Sequence, residues 1–394
     1  MAAPGARAHL LLSGAATSAL WVLLSLWRPE RGELRDLHVL AVVSIIIVSS
    51  LLLAEALSIA SPAFEVLFGL IAGWLGVKSG GSLDALALMG SSALMFLVGL
   101  EIDLVFIREN LARSAAIGLA SFAAPMALTV PVMMVLGSGP LEATLTGVAV
   151  STTSVAVVYS IIKRFVGVKS PAGQLALSSA MIADIASILA FSALVVRTST
   201  GLLVYLASLA IAPPLLSRLL RGLPELGYEG EVRIIIALLL AVTLASEVVG
   251  VHAVLASFIL GLALQEFANE PPVRDKIEAL ITGFLAPLFF VAAGITASMA
   301  SPGAVALLAL LLLAVSYPPK ALPVAVLSKL RGGLAWRVAA SFGARLTVST
   351  LIAFVGVRRG IIGPSLAGAI MLSAVMATML AGVLVRGAEP LFEA

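Results

Sequence analysis

Four polar features stand inside otherwise apolar runs of this chain, and each is of a type that can hold an ion or a proton. Asp184, in the stretch SSAMIADIAS (178–187), is the only charged residue between Lys169 and Arg197. Lys320 is the only charge between Glu278 and Lys329 and follows Tyr317-Pro318-Pro319. Four hydroxyl side chains run in succession from Ser151 to Ser154, and Arg345 stands in GARLTVST (343–350). A carboxylate taken out of water exchanges its proton nearer cellular pH than one in solution, so Asp184 is able to hold a proton or a small cation, but not both at once. An intramembrane acid is a functional candidate by default. The competing reading is a fixed ion pair with Lys320 or Arg345. Lys320 in turn is open to two roles, a second proton carrier or a fixed counter-charge.

The elements that must position these groups are membrane spans. Of the 394 residues 61% are hydrophobic and 11% charged, against about 25% charged in soluble domains, so the surface required in water cannot be assembled. The expected fold class is an all-α polytopic membrane protein whose environment is the lipid bilayer. With no cysteine, disulfides, thiolate metal sites and thiol nucleophiles are excluded. No phosphate-binding glycine loop or nucleophile elbow stands in the chain, which removes primary ATP-driven transport and membrane-bound hydrolysis. A secondary transporter without a cofactor, and not an enzyme, is expected. The net charge of +3 resides in short loops and orients the chain, giving no reason to expect nucleic acid as a partner.

Apolar runs of spanning length number fourteen: about 8–27, 37–57, 62–77, 84–104, 114–136, 142–162, 174–196, 200–219, 232–249, 252–266, 278–297, 303–328, 338–357 and 364–385. The first lacks a small-residue cleavage site and reads as a retained anchor. With both termini cytoplasmic, the inner loops collect fifteen Lys and Arg and the outer loops seven, as the positive-inside rule requires.

Three segments recur at nearly constant offsets: VLFGLIAG (66–73) with VLASFILG (254–261), MFLVGLEI (95–102) with LFFVAAGI (288–295), and STTSVAVV (151–158) with TVSTLIAF (347–354). Each pairs span n with span n+7, and an odd shift inverts the copy in the membrane. The expected organisation is an extra helix over 1–36, a first repeat over 37–197, a linker helix over 198–230 and a second, inverted repeat over 231–394. The sixth and thirteenth spans, paired by the repeat, are candidates for helices broken at mid-depth whose free ends interact with ions; intact helices whose Ser and Thr bond back to the preceding turn are the alternative. Glu55, Glu65, Glu247 and Glu266 fall near span ends, where a side chain can reach water, so solvated or cavity-lining roles are expected rather than ion binding.

SPAFEVLFGLIAGWLGV (61–77), ALMFLVGLEIDL (93–104), STTSVAVVYSIIK (151–163), the Asp184 helix, VHAVLASFILGLAL (251–264) and APLFFVAAGI (286–295) resemble, in order, the motifs of the monovalent cation:proton antiporters, in the branch with Kef-type and NapA-type transporters. The resemblance covers about residues 40–386. It implies the inverted-repeat antiporter fold with two broken crossing helices, a homodimer with a rigid dimerisation domain and a moving core, and alternating access to one acid. Carried over by position, Asp184 is the ion-binding acid, Ser151, Thr152 and Thr153 are oxygen ligands on the first broken helix, Arg345 stands on the second, and Lys320 faces the acid. The departure is Ala183, where electrogenic relatives carry a second aspartate and electroneutral ones an asparagine; one cation for one proton, without net charge, is then expected. The cargo reads as Na+, with K+ or Li+ open, against H+, in the cell membrane. A Kef-type K+/H+ exchange and an organic-anion:sodium symport on the same fold are the alternatives. Unlike Kef-type systems, no nucleotide-binding regulatory domain is expected before the last residue.

Overall fold

The computed structural model describes residues 4–26, 32–57, 59–101, 111–167, 169–195, 207, 227–249, 253–265, 271–298, 302–327 and 332–387. Among them every regular element is a helix: α1 (Pro4–Leu26), α2 (Gly32–Leu57), α3 (Ser61–Trp74), α4 (Gly81–Glu101), α5 (Leu111–Val135), α6 (Pro140–Ser151), α7 (Val155–Phe165), α8 (Pro171–Val195), α9 (Gly227–Val249), α10 (Ala253–Ala263), α11 (Pro271–Leu280), a π-helical turn (Ile281–Leu285) leading into α12 (Ala286–Ala297), α13 (Pro302–Leu327), α14 (Gly332–Phe342), α15 (Thr347–Arg358) and α16 (Pro364–Gly387). Among the described residues ten helical stretches are long and apolar enough to cross a membrane, with α3 and α10 as shorter apolar helices. Thirteen of the fourteen runs expected from sequence coincide with described helices; the eighth, 200–219, lies outside the described residues.

The chain packs as two units, each built from both halves of the sequence. The first comprises Met1–Ser79, Asp103–Phe191 and Phe290–Ala394. Its hub is α13, which lies against α5, α6, α14 and α16, while α14 packs on α7 and α15 on α6. Where α5, α7, α8, α13 and α14 converge, Ile117, Val158, Ile162, Ala176, Leu177, Ala180, Ala321, Val324, Val338, Ala339 and Phe342 form a closed apolar cluster. Four of these are alanines because, between membrane helices, association rests on close backbone approach and dispersion rather than on escape from water. The second unit comprises Gly80–Ile102 and Ser192–Phe289. Within it α4 packs on α10 and on the π-helical turn, and α9 packs on α4, α10 and α11. Gln265 there donates to the Gly99 carbonyl (2.9 Å), and at the surface Lys276 pairs with Glu229 at 2.8 Å.

Local chemistry sets the helices that carry the polar residues. Gly167, at φ 87°, turns the chain out of α7 with its N–H on the Ile162 carbonyl. Ser170 follows and opens α8: its hydroxyl accepts the Gly173 N–H at 3.0 Å, and Pro171 occupies the first helical position, where a missing N–H costs nothing. α6 likewise begins at Pro140 after an extended Gly139.

Candidate functional site

Both candidate broken helices are interrupted. α6 stops at Ser151, and Thr152 (φ −65°, ψ 158°) and Ser154 (φ −87°, ψ 99°) are extended before α7 begins. α14 stops at Phe342, and Gly343 to Leu346 intervene before α15. The two links meet: the Ser154 N–H donates to the Ala344 carbonyl at 2.7 Å.

An α-helix ends in four carbonyls without intrahelical partners, and here, where Val148, Ala149, Val150 and Ser151 are all fully buried, they must find partners within the protein. At the end of α6 the protein supplies three donors. The Thr152 hydroxyl donates to the Ala149 carbonyl at 3.2 Å, Arg345 Nη1 to the Val150 carbonyl at 2.9 Å, and Lys320 Nζ to the Ser151 carbonyl at 2.5 Å. Lys320 and Arg345 are both fully buried. An uncompensated charge there would cost far more than its packing returns; here each cation sits on the negative end of a helix dipole, the favourable sign. α13 delivers Lys320 while running as a helix through Pro318, Pro319 and Pro323, and the Ser121 hydroxyl of α5 donates to the Lys320 carbonyl at 3.1 Å.

The end of α14 is held differently. Its Ala340 carbonyl accepts the Gly343 N–H (3.1 Å) and the Tyr317 hydroxyl (2.9 Å). The Tyr317 ring lies so close to Gly343 that a Cβ there would fall 2.2 Å from Cε2, so only glycine fits under the ring. The Arg345 N–H reaches the Thr378 hydroxyl at 3.3 Å.

Asp184 is buried in α8, 5% exposed, with Ala183 fully buried beside it. Asp184 lies one helical turn beyond Ala180, which packs in the apolar cluster shared with α7, α13 and α14. The hydroxyls divide. Ser151 donates to the Gly147 carbonyl at 2.7 Å and Thr152 to Ala149, the back-bonding expected of intact helices, whereas the Thr153 hydroxyl is buried without a hydrogen-bond partner in the protein. Downstream of the breaks neither Ser154 nor Leu346 caps its helix with a side chain, and the N-terminus of each following half-helix carries the positive end of its dipole. The site thus combines an α6 end whose last carbonyls are taken by Thr152, Arg345 and Lys320, the two helix N-termini that follow the breaks, and the buried Asp184 carboxyl on the neighbouring α8.

Several assignments change. Glu65, expected near water at a span end, is 2% exposed within α3, because that short helix is packed between α2 and α16. Glu55 is exposed, as expected; the Glu247 side chain and Glu266 lie outside the described residues. Among the described residues no cluster of three or more His, Asp or Glu forms a metal-binding group. Tyr317, Ser121, Gly343 and Thr378 join the site without having been singled out for it; the signal for Tyr317 was its place one helical turn before Lys320.

This architecture defines a multi-pass membrane protein of the broken-helix antiporter fold. The chain belongs to the family described as sodium/hydrogen exchanger, transmembrane, whose profile matches residues 41–388. It is similar to Probable Na(+)/H(+) antiporter 3 of Methanocaldococcus jannaschii, 27% identical over 227 residues that cover 54% of this chain and 58% of that protein. With Na(+)/H(+) antiporter NhaS5 of Synechocystis sp. it is 29% identical over 222 residues, 52% of this chain and 31% of that protein. The matched segments therefore span less than two thirds of these relatives. In fold it resembles the sodium proton antiporter MjNhaP1 of Methanocaldococcus jannaschii at pH 8, with a TM-score of 0.61 at 16% identity over 89% of this chain and 98% of that one.

Proposed function

We propose that this chain is a secondary antiporter that exchanges a monovalent cation, Na+ first, for H+ at Asp184 by alternating access. The observation that carries the reading is a buried carboxyl, Asp184, one helical turn beyond Ala180, which packs against α7, α13 and α14 at the interrupted helices, while Lys320 and Arg345 are committed to the carbonyls of α6. A proton or a monovalent cation at Asp184 then leaves the crossing with the same total charge, and the two compete for one carboxylate. Thr153, with Ser151 and Thr152 beside it, supplies oxygen to the desolvated cation. With Ala183 in place of a second acid, one cation moves against one proton and the cycle is electroneutral.

The organisation implied is an extra helix over 1–36 and two inverted repeats, 37–197 and 231–394, joined by the linker 198–230, in a homodimer in the cell membrane with both termini cytoplasmic. The family and the named antiporter relatives support the reaction class; the crossing of two interrupted helices supports a mid-depth site. Purified protein in liposomes with an imposed pH gradient tests it. Addition of Na+ should dissipate the gradient, and K+ and Li+ salts in parallel vesicles fix the selectivity. A gradient indifferent to all three would overturn the reading.

A further inference from the structure

Tyr317 and Lys320 lie three residues apart, on one face of α13, and each donates to the end of a different interrupted helix. Lys320 takes the last carbonyl of α6; Tyr317 takes Ala340 of α14, 23 residues on in sequence. We infer that the turn Tyr317-Pro318-Pro319-Lys320 is a clasp fixing both breaks from one helix, and that Tyr317 is a positioning residue for cation binding, acting through Arg345.

Three observations carry the inference. Pro318 and Pro319 have no N–H, and Pro323 none four residues after Pro319, so this stretch of α13 is weakly tied along its own axis. It is held instead from outside: the Ser121 hydroxyl grips the Lys320 carbonyl. Secondly, the Tyr317 contact is built in two parts. The hydroxyl bonds Ala340 and the ring occupies the space over Gly343, where a side chain would collide at 2.2 Å. Ring and hydroxyl together set where α14 stops and where the link begins. Thirdly, that link leads within two residues to Arg345, whose guanidinium reaches back to Val150, and through Ala344 it bonds Ser154. A shift of Gly343 is therefore passed to both the Arg345 charge and the first break. Two breaks fixed from one turn keep their spacing when that helix moves; breaks fixed from separate helices would not.

The transport readout rests on the cation/proton exchange reading, and a second readout does not. In liposomes, Tyr317→Phe should raise the apparent KM for the cation about fivefold, the loss of one neutral hydrogen bond, with maximal rate retained; loss of folded protein would lower maximal rate alone. Gly343→Ala should raise KM in wild type yet add little in a Tyr317→Ala background, where the ring it meets is gone, so that the pair is strongly non-additive. Independently of transport, hydrogen–deuterium exchange in detergent should speed up over residues 340–346 in Tyr317→Phe while residues 302–312 keep wild-type rates. An unchanged KM with unchanged deuterium uptake in Tyr317→Phe, or additive effects of the two alanine substitutions, overturns the clasp. If wild type moves no alkali cation while Tyr317→Phe still loosens residues 340–346, the exchange reading fails and the clasp stands.

Discussion

Lys320 of α13 and Arg345 of the link between α14 and α15 donate to consecutive carbonyls of one helix end, Ser151 at 2.5 Å and Val150 at 2.9 Å. Charged donors of this kind hold more tightly than neutral ones, about 1.5–3 kcal/mol each, and neither cation is then available as the sole, flexible partner of Asp184. The fixed counter-charge role of Lys320 is the one this geometry favours over proton carriage. Removing Lys320 strips the Ser151 carbonyl of its charged donor. Lys320→Gln is expected to lower stability by about 2 kcal/mol, read as a fall in the thermal midpoint of the purified protein in detergent.

Charge balance gives a second expectation. If Lys320 keeps its proton through the cycle, cation uptake by the wild-type protein is indifferent to a potential set with valinomycin. Uptake that responds to potential in wild type and loses that response in Lys320→Gln, with exchange retained, would instead make the lysine a second proton carrier.

Asp184→Asn keeps the shape of the side chain but removes the group that cycles a proton. Exchange should vanish while the protein elutes and melts as wild type does. Cation-driven proton flux at the normal rate in this variant rules out Asp184 as the exchange site.

Competition at one carboxylate has a defined sign. Lowering pH fills Asp184 with protons, so the apparent KM for the cation rises on the acid side, approaching about tenfold per pH unit once protonation dominates, and levels off on the alkaline side. A KM independent of pH from about 5.5 to about 8.5, a window chosen to bracket the titration of a desolvated carboxylate, would require separate sites for cation and proton.

Of the three hydroxyls Ser151, Thr152 and Thr153, the Thr153 oxygen is buried without a protein partner, whereas Ser151 and Thr152 donate to Gly147 and Ala149. Thr153→Ala should weaken cation affinity by about five- to tenfold, the worth of one oxygen ligand, and Thr153→Ser should restore it. Ser151→Ala should leave affinity within about twofold, since its backbone carbonyl and not its hydroxyl faces Lys320. Equal losses from both alanine variants would remove the distinction.

How much of this was legible in the sequence follows from how local each signal is. Spans are local, and their positions agree with the helices wherever residues are described. The breaks were legible as a pair, because hydroxyls and small residues recur at matched positions of the sixth and thirteenth spans. Asp184 and Lys320 announced themselves as isolated charges. Not legible were the partners: that Lys320 meets Ser151 across 169 residues, or that Tyr317 stops α14, depends on how helices cross, which no periodicity encodes. Glu65 misled for a related reason. A charge near the end of an apolar run reaches water only if the helix end does, and the short α3 is buried among its neighbours.

The end of α6, clothed by an ammonium and a guanidinium, also bears on valence. With Asp184 ionised and both bases protonated, those two charges already outnumber it. A proton or an alkali ion raises the total by one step; a magnesium or calcium ion would raise it by two, against repulsion that strengthens as water is excluded. On the exchange reading proposed above, the same pairing that quietens a broken helix would sort ions by charge before radius is consulted, and divalent ions are expected to stay outside even where they are abundant.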